Sequence, residues 1–199
     1  MRQPDSCHSR AKLKGMSVPL LTAAIGATRL DICVADITTL GVDAIVNAAN
    51  KTLLGGGGVD GTIHRAAGPE LLAECRALRG CETGSAKITQ GYRLKARHVV
   101  HAVGPVWNGG GRAEEDLLAS CYSTALMLAA EHRLTSIAFP SISTGIYRFP
   151  PDRAARIAVG TVVAEVSAEP GRLTQVVFCC FSPESAKHHE DAFADLGLA

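Results

Sequence analysis

Short apolar runs recur along the chain with the patterns of β-strands. Leu30, Ile32 and Val34 occupy alternate positions, and this period of two predicts a strand with one buried face. Further apolar runs predict strands at 44–46, 99–103, 137–139 and 176–181. The run at 44–46 ends at Asn47, as expected of a central strand that delivers a polar loop at its carboxyl end.

Helical segments are predicted between these strands. They cover residues 59–67, 69–78, about 114–132, 151–165 and 183–196. Pro151 suits a first helical turn, where its missing N–H is harmless, and Ser182 before Pro183 provides an N-cap. Because strands alternate with helices, the sequence predicts a layered α/β fold in which ligands bind at the carboxyl ends of the strands.

Several polar residues have simple structural interpretations. Asp31 and Asp43 are expected to be solvent-facing charges at strand ends. The adjacent His188 and His189 diverge by about 100° on a helix and are expected to be solvated. His64 and His101 are more readily buried, hydrogen-bonded histidines than catalytic ones.

Length and composition favour one small-molecule-binding domain. The 199 residues are 47% hydrophobic, enough for one core, which we assign to residues 20–199. Residues 1–19 show no apolar period and are interpreted as a loose tail or an expression remnant. A formal net charge of +1 gives no field for general nucleic-acid or membrane binding. Without a signal-peptide core or an apolar run of roughly 18 to 20 residues, the protein is expected to be cytoplasmic, and we expect a monomer.

Seven cysteines are scattered along the chain with spacings that suggest neither a disulfide framework nor a metal cluster. Neighbours in a strand point to opposite faces, so Cys179 and Cys180 cannot clasp one metal together. We therefore interpret the cysteines as small buried residues and predict no metal and no cofactor.

A glycine-rich loop at residues 47–61 carries the first unusual chemistry. Four consecutive glycines at 55–58 lose extra backbone entropy on folding, which favours backbone amides that approach a phosphate before a helix. A flexible surface loop is the alternative. Gly56, Gly58 and Gly61 also satisfy GxGxxG, the pattern of a Rossmann-type dehydrogenase, but a loop separates them from the strand that this motif requires.

A second loop at residues 141–147 follows the strand that ends at Phe139. It combines hydroxyls, a glycine and Tyr147. Such a loop is suited to hold another phosphate and to cover a sugar.

Ordered segments in these regions resemble the MacroD-type macro domains. They are Asp36-Ile37-Thr38, 42–50, 53–61, 64–69, 83–86 and 143–147. The resemblance runs from about Arg29 to Val163 and is strongest from Asn47 to Gly68. It implies a three-layer α/β/α fold with a mixed six-stranded sheet, and ADP-ribose as the ligand.

The resemblance implies a role for each matching position. Asp36 would receive the adenine amino group, Ile37 would offer its N–H to the ring, and Tyr147 would pack near the distal ribose. The diphosphate would be held by Gly57, Gly58 and Val59 on one side and by Ser143, Thr144, Gly145 and Ile146 on the other.

The family's catalytic pair matches Asn50 and Asp60. An amide can orient a hydroxyl and a carboxylate can accept a proton from water. Members of the family deacetylate O-acetyl-ADP-ribose and remove mono-ADP-ribose from acidic side chains of proteins, without a metal, so these compounds are the implied partners. A non-catalytic ADP-ribose reader is the alternative, because it needs the same loops but not Asp60.

Three residues depart from the family's usual pattern. Ala35 stands for Gly before Asp36, Thr62 for Ala beside the catalytic turn, and Arg148 for Gly after Tyr147. None of them replaces an implied catalytic group.

Overall fold

A computed structural model describes residues 18–198, so most of the predicted N-terminal tail lies outside the described residues. The strands are β1 (Leu21–Ile25), β2 (Thr28–Val34), β3 (Ala44–Ala48), β4 (Ala86–Gln90), β5 (His98–Ala102), β6 (Ser136–Phe139) and β7 (Gln175–Cys180). The α-helices are α1 (Gly58–Ala67), α2 (Pro69–Leu78), α3 (Glu114–Glu131), α4 (Pro151–Ala168) and α5 (Pro183–Asp195), and a 3-10 turn covers Ile37–Thr39.

All five predicted helices are present. Pro151 and Pro183 occupy first turns, and the Ser182 side chain accepts a hydrogen bond from the backbone N–H of Ser185 as the N-cap of α5. Within residues 18–198, no helix combines the length and apolar character needed to cross a membrane.

The sheet has seven strands in the order β1-β2-β7-β6-β3-β5-β4. The five central strands run parallel, and β1 and β4 pair antiparallel at the two edges. The α/β class is confirmed, whereas the expectation of six strands was wrong. The hydrophobic pattern missed both edge strands, because one face of an edge strand is only partly buried and its apolar signal is weak.

Helices cover both faces of the sheet and form three layers. One face packs against α3, α4 and α5 through Ala44, Val46 and the residues of the other strands that point to the same side of the sheet. The opposite face packs against α1, α2 and the 3-10 turn through Ile45 and its counterparts. Cys180 lies in the core beneath α3, α4 and α5, and Cys179 lies in the core beneath α1 and α2. Adjacent residues of a strand point to opposite faces of the sheet, so this separation is expected.

Asp31 is buried rather than solvent-facing, so both its assignment and the prediction of one buried face for β2 were wrong. Only 3% of Asp31 is exposed. Its carboxylate accepts hydrogen bonds from Thr22 Oγ1 at 2.8 Å, Arg29 Nε at 2.9 Å and Gln175 Nε2 at 2.8 Å. These partners come from β2 and from its two neighbours, and they replace the water that the carboxylate loses.

Asp43 is likewise a structural carboxylate and not merely a charge at a strand end. It accepts hydrogen bonds from the N–H of Thr135 at 2.7 Å, the N–H of Ser136 at 3.1 Å and Arg97 Nη2 at 2.8 Å. Partial burial alone raises the pKa of Asp43, but the bonds from Thr135 and Arg97 outweigh it and lower the pKa to about 2. Asp43 thus ties the start of β3 to the start of β6.

We expect Asp43→Ala to lower the free energy of unfolding by about 1.5–3 kcal/mol at neutral pH, because hydrogen bonds to a charged group are lost. The folded pKa lies below the unfolded value of 3.8, so the native carboxylate stabilises the fold above that value and loses this effect as pH falls toward about 2. Urea unfolding across this range measures the difference. A gap between wild type and variant that does not shrink in acid would contradict this assignment.

Candidate active site

Loops after β2, β3, β6 and β7 enclose a cleft of about 1080 Å³ at the carboxyl edge of the parallel strands. The structure brings every predicted site residue to this cleft. They are Asp36, Ile37, Asn50, Gly57, Gly58, Val59, Asp60, Ser143, Thr144, Gly145, Ile146 and Tyr147. The loops lie far apart in sequence and meet because the strands that precede them are neighbours in the sheet.

The glycine-rich loop directs the start of α1 into the cleft. Helix α1 begins at Gly58, and its N-cap Gly57 provides no side-chain cap. The backbone N–H groups of Gly56, Gly57 and Gly58 donate to no other described residue. Because the first N–H groups and the macrodipole of a helix both favour an anion, this end of the cleft is suited to a phosphate.

Close packing also requires a glycine in the first turn of α1, directly after this loop. A Cβ on Gly61 would overlap the carbonyl oxygen of Gly56. Gly57 is different, because a Cβ there meets nothing within 4 Å. The identity of Gly61 is therefore set by the path of the loop, and that of Gly57 is not.

The second loop forms the opposite wall of the cleft. Ser143 has a φ of 66°, in the left-handed region that is uncommon for a residue with a side chain. Its Oγ is buried with no hydrogen-bond partner among the described residues. The backbone N–H groups of residues 144–147 also donate to no described residue. Trp107 anchors the loop by donating its backbone N–H to the carbonyl of Tyr147 at 2.9 Å.

Asp60 lies in the first turn of α1, lines the cleft and is 4% exposed. Its Oδ1 accepts a hydrogen bond from Asn47 Nδ2 at 2.7 Å. His64 Nε2 lies 3.4 Å from the same oxygen, without the geometry of a hydrogen bond. The other oxygen, Oδ2, lies beside Gly56 and accepts no hydrogen bond from a described residue. Oδ1 is therefore held in place, whereas Oδ2 is free to accept a hydrogen bond or a proton.

Asn50 has less freedom than the sequence suggested. Its Oδ1 accepts from the N–H and hydroxyl of Thr52 at 3.0 and 2.6 Å. Its Nδ2 donates to the carbonyl of Gly55 at 3.0 Å, so one amide N–H remains. Asn50 can therefore offer a bound sugar one donor while it holds the loop.

A group that can bind metal lies beneath Asp60, and the cysteine spacing gave no signal for it. His64, Cys75 and His101 place one ligand atom each within 4.8 Å of one another. Burial lowers the pKa of His101 to about 3 and raises the pKa of the Cys75 thiol to about 11. A metal would have to displace the thiol proton and the existing hydrogen bonds of His101.

The cleft also contains residues that sequence reasoning missed. Phe181 was assigned to the last strand, but β7 ends at Cys180 and Phe181 stands 97% exposed at the cleft wall. An aromatic residue directly after a strand end was the available signal. His188 lines the cleft, and His189 is buried against Phe178 and Cys180, so the expectation that both histidines are solvated was wrong.

A family model described as Macro domain matches residues 46–158. The chain belongs to the macro domain family. It is 59% identical over 170 residues to a macro domain-containing protein of Mesorhizobium japonicum, an alignment that covers 84% of this chain and 95% of the relative. It is also 59% identical over 148 residues to mouse ADP-ribose glycohydrolase MACROD2, covering 73% of this chain and 31% of that longer protein.

Solved structures of other macro domains agree with the fold. The Oceanobacillus iheyensis macrodomain with ADP has a TM-score of 0.85 and 41% identity, covering 88% of this chain and 95% of that one. The Trypanosoma brucei macrodomain in complex with ADP-ribose has a TM-score of 0.77 and 44% identity, covering 81% and 68%.

Alanine substitutions at Gly61 and Gly57 test the packing of the glycine-rich loop against the start of α1. Gly61→Ala gains up to about 1 kcal/mol of helix propensity, but we expect overlap with the Gly56 carbonyl to dominate and to lower the free energy of unfolding by about 1–3 kcal/mol. Gly57→Ala is the matched control and should cost at most about 1 kcal/mol, the preference of an N-cap for glycine over alanine, since no described atom lies within 4 Å of a Cβ at this position. Equal stability of the two variants in urea unfolding would show that the loop path does not select Gly61.

Proposed function

We propose that this macro domain binds ADP-ribose and hydrolyses ester-linked groups on it. The substrates would be O-acetyl-ADP-ribose and proteins that carry mono-ADP-ribose on acidic side chains. The observation that carries the proposal is the buried Asp60 carboxylate in the cleft lining, with Oδ1 held by Asn47 and Oδ2 left beside Gly56. We further propose that the protein acts as a cytoplasmic monomer without a metal or cofactor.

Relatives support the choice of ligand. The mouse relative is named an ADP-ribose glycohydrolase, and the two solved macrodomain structures contain ADP and ADP-ribose respectively. The cleft can accommodate such a ligand, because its volume of about 1080 Å³ is at the upper end of the range for small-molecule sites.

The two ends of the cleft fit the two ends of ADP-ribose. Asp36 is exposed at one end with Oδ1 held by Thr38, which leaves Oδ2 to accept the adenine amino group. Phe181 stands nearby in the same wall and offers a flat face on which a base can stack. The unpaired N–H groups of the two loops would hold the diphosphate, and the distal ribose would reach Asn50 and Asp60.

Asp60 is proposed as the base. A water held between Asp60 Oδ2 and the diphosphate attacks the carbonyl carbon of an acetyl ester, and Oδ2 accepts the water proton. The bond from the carbonyl carbon to the ribose oxygen then breaks, and that oxygen takes up the proton that Asp60 Oδ2 had accepted, which restores the carboxylate and releases acetic acid and the free hydroxyl. Asn50 orients the sugar through its remaining amide N–H.

Asp36→Asn is expected to weaken ADP-ribose binding roughly ten- to a hundredfold, the equivalent of about 1.5–3 kcal/mol. The amide oxygen can keep the bonds to Thr38, but the amide nitrogen would face another donor on adenine. Titration calorimetry measures the dissociation constant. Asp116→Asn, on an exposed residue of α3 outside the cleft, is the control, and equal affinities for the two variants would exclude Asp36 from adenine recognition.

Asp60→Ala is expected to lower turnover of O-acetyl-ADP-ribose roughly a hundred- to ten-thousandfold, the value of a positioned base. ADP-ribose affinity should stay within a few-fold, because backbone amides hold the diphosphate. A large loss of turnover at a nearly unchanged affinity indicates lost transition-state stabilisation. Relief of charge repulsion between Asp60 and the phosphates can even tighten binding slightly.

Product analysis of both substrates separates the possible outcomes. A variant that keeps more than about a tenth of wild-type turnover, a change under roughly 1.4 kcal/mol, would rule out Asp60 as the base and favour attack assisted by a substrate phosphate. Wild-type protein that binds ADP-ribose and releases no product from either substrate would instead be a reader.

A further inference from the structure

A row of buried polar side chains continues behind Asp60, away from the cleft. Asn47 on β3, His101 on β5 and Thr89 on β4 are each at most 2% exposed. None of the three lines the cleft. Asn47 Nδ2 lies 3.1 Å from His101 Nδ1, and His101 Nε2 lies 2.9 Å from Thr89 Oγ1. The proposed base is therefore connected to the edge of the sheet by three consecutive hydrogen bonds.

The direction of these bonds follows from the inventory of donors. Asn47 Nδ2 carries two hydrogens and no acceptor, so it donates one to Asp60 Oδ1 and one to His101 Nδ1. His101 Nδ1 must then be unprotonated, and its Nε2 carries the hydrogen and donates to Thr89 Oγ1 at 2.9 Å. Cys75 Sγ also approaches Nε2, at the longer distance of 3.6 Å. The Thr89 hydroxyl can donate in turn to the carbonyls of Gln90 or Val99, at 3.2 and 3.4 Å.

The reverse arrangement conflicts with an ionised base. A hydrogen on His101 Nδ1 would face the Asn47 amino group, donor against donor. Rotation of the amide would remove that clash but would place the Asn47 carbonyl oxygen against Asp60 Oδ1, now 2.7 Å from Nδ2, where two acceptors repel. Burial lowers the pKa of His101 to about 3, so the ring is neutral at physiological pH. A neutral imidazole carries one hydrogen, which lies on either Nδ1 or Nε2.

We propose that His101 is a positioning residue for Asp60, acting through Asn47, and that Thr89 stabilises the required His101 tautomer by accepting the hydrogen of Nε2. The inference rests on the proposed hydrolysis for its effect on rate. Its physical content is that the Thr89–His101–Asn47 row fixes Oδ1 as the anchored oxygen of Asp60 and leaves Oδ2 directed at the cleft.

Thr89→Val tests the proposal, because it removes the hydroxyl while keeping the shape of the side chain. We expect kcat to fall roughly ten- to a hundredfold, as for a misplaced catalytic group, while the dissociation constant of ADP-ribose stays within about twofold. Thr89→Ser restores the hydroxyl and should recover most of the rate. The matched control is Thr28→Val, which removes another buried threonine hydroxyl, bonded to the carbonyl of Leu173 at the far end of the sheet.

His101 itself provides a second pair of variants. His101→Asn keeps an acceptor near the position of Nδ1, whereas His101→Leu keeps none. Among variants that fold, judged by urea unfolding, kcat should decrease from wild type to His101→Asn to His101→Leu at unchanged ADP-ribose affinity. Equal rates for these two variants would contradict the role of Nδ1.

Nitrogen-15 NMR of histidine-labelled protein reads the tautomer without any turnover. Wild type and Thr89→Ser should show hydrogen on Nε2 of His101. Thr89→Val should raise the share of the Nδ1 tautomer, because Nε2 loses its hydroxyl acceptor while Asn47 still favours an unprotonated Nδ1. A hydrogen on Nδ1 in wild type would overturn the proposal. If Thr89→Val loses as much stability as Thr28→Val and keeps the wild-type kcat, the Thr89–His101–Asn47 row has only a structural role and the proposal is wrong. Failure of the hydrolytic function itself would appear differently, as no turnover by wild type with the Nε2 tautomer still present.

Discussion

The five central strands run parallel, so their carboxyl ends lie along one edge of the sheet, and the loops that follow them must meet there. This arrangement explains why residues as distant in sequence as Asp36, Asp60 and Ser143 share one cleft. Each loop leaves a strand whose side chains are buried in cores on both faces. Because the strands are held by two cores, the loops have fixed ends and need few internal contacts to define the site.

Burial of a carboxylate is costly unless polar groups replace its water, and the chain meets this requirement in two ways. Asp31 and Asp43 have three or more donors each and stabilise the sheet. Within residues 18–198, the Asp60 carboxylate accepts one hydrogen bond, from Asn47, and it also lies in the favourable field at the start of α1. This difference separates structural carboxylates from one whose second oxygen faces a ligand cleft.

The pattern of apolar residues predicted the five parallel strands and all five α-helices, because central strands and amphipathic helices have strong local signals. It missed β1 and β4, whose sequences LTAAI and AKITQ are only half-buried at the sheet edges. It also assigned Phe181 to a strand, since an apolar run does not reveal where its last residue points. Asp31 and His189 were misjudged for a related reason, because residues distant in sequence bury them.

The sequence by itself determined the α/β class, the glycine-rich loop before α1 and twelve of the residues that meet in the cleft, because glycine runs, strand periodicity and ordered motifs are local properties of the chain. Only the tertiary structure decided which oxygen of Asp60 is anchored, how much of Asn50 is already committed, and that Thr89, His101 and Asn47 stand in one row. These three residues lie on three adjacent strands, and the pairing of strands distant in sequence depends on the packing of the whole sheet rather than on any local pattern.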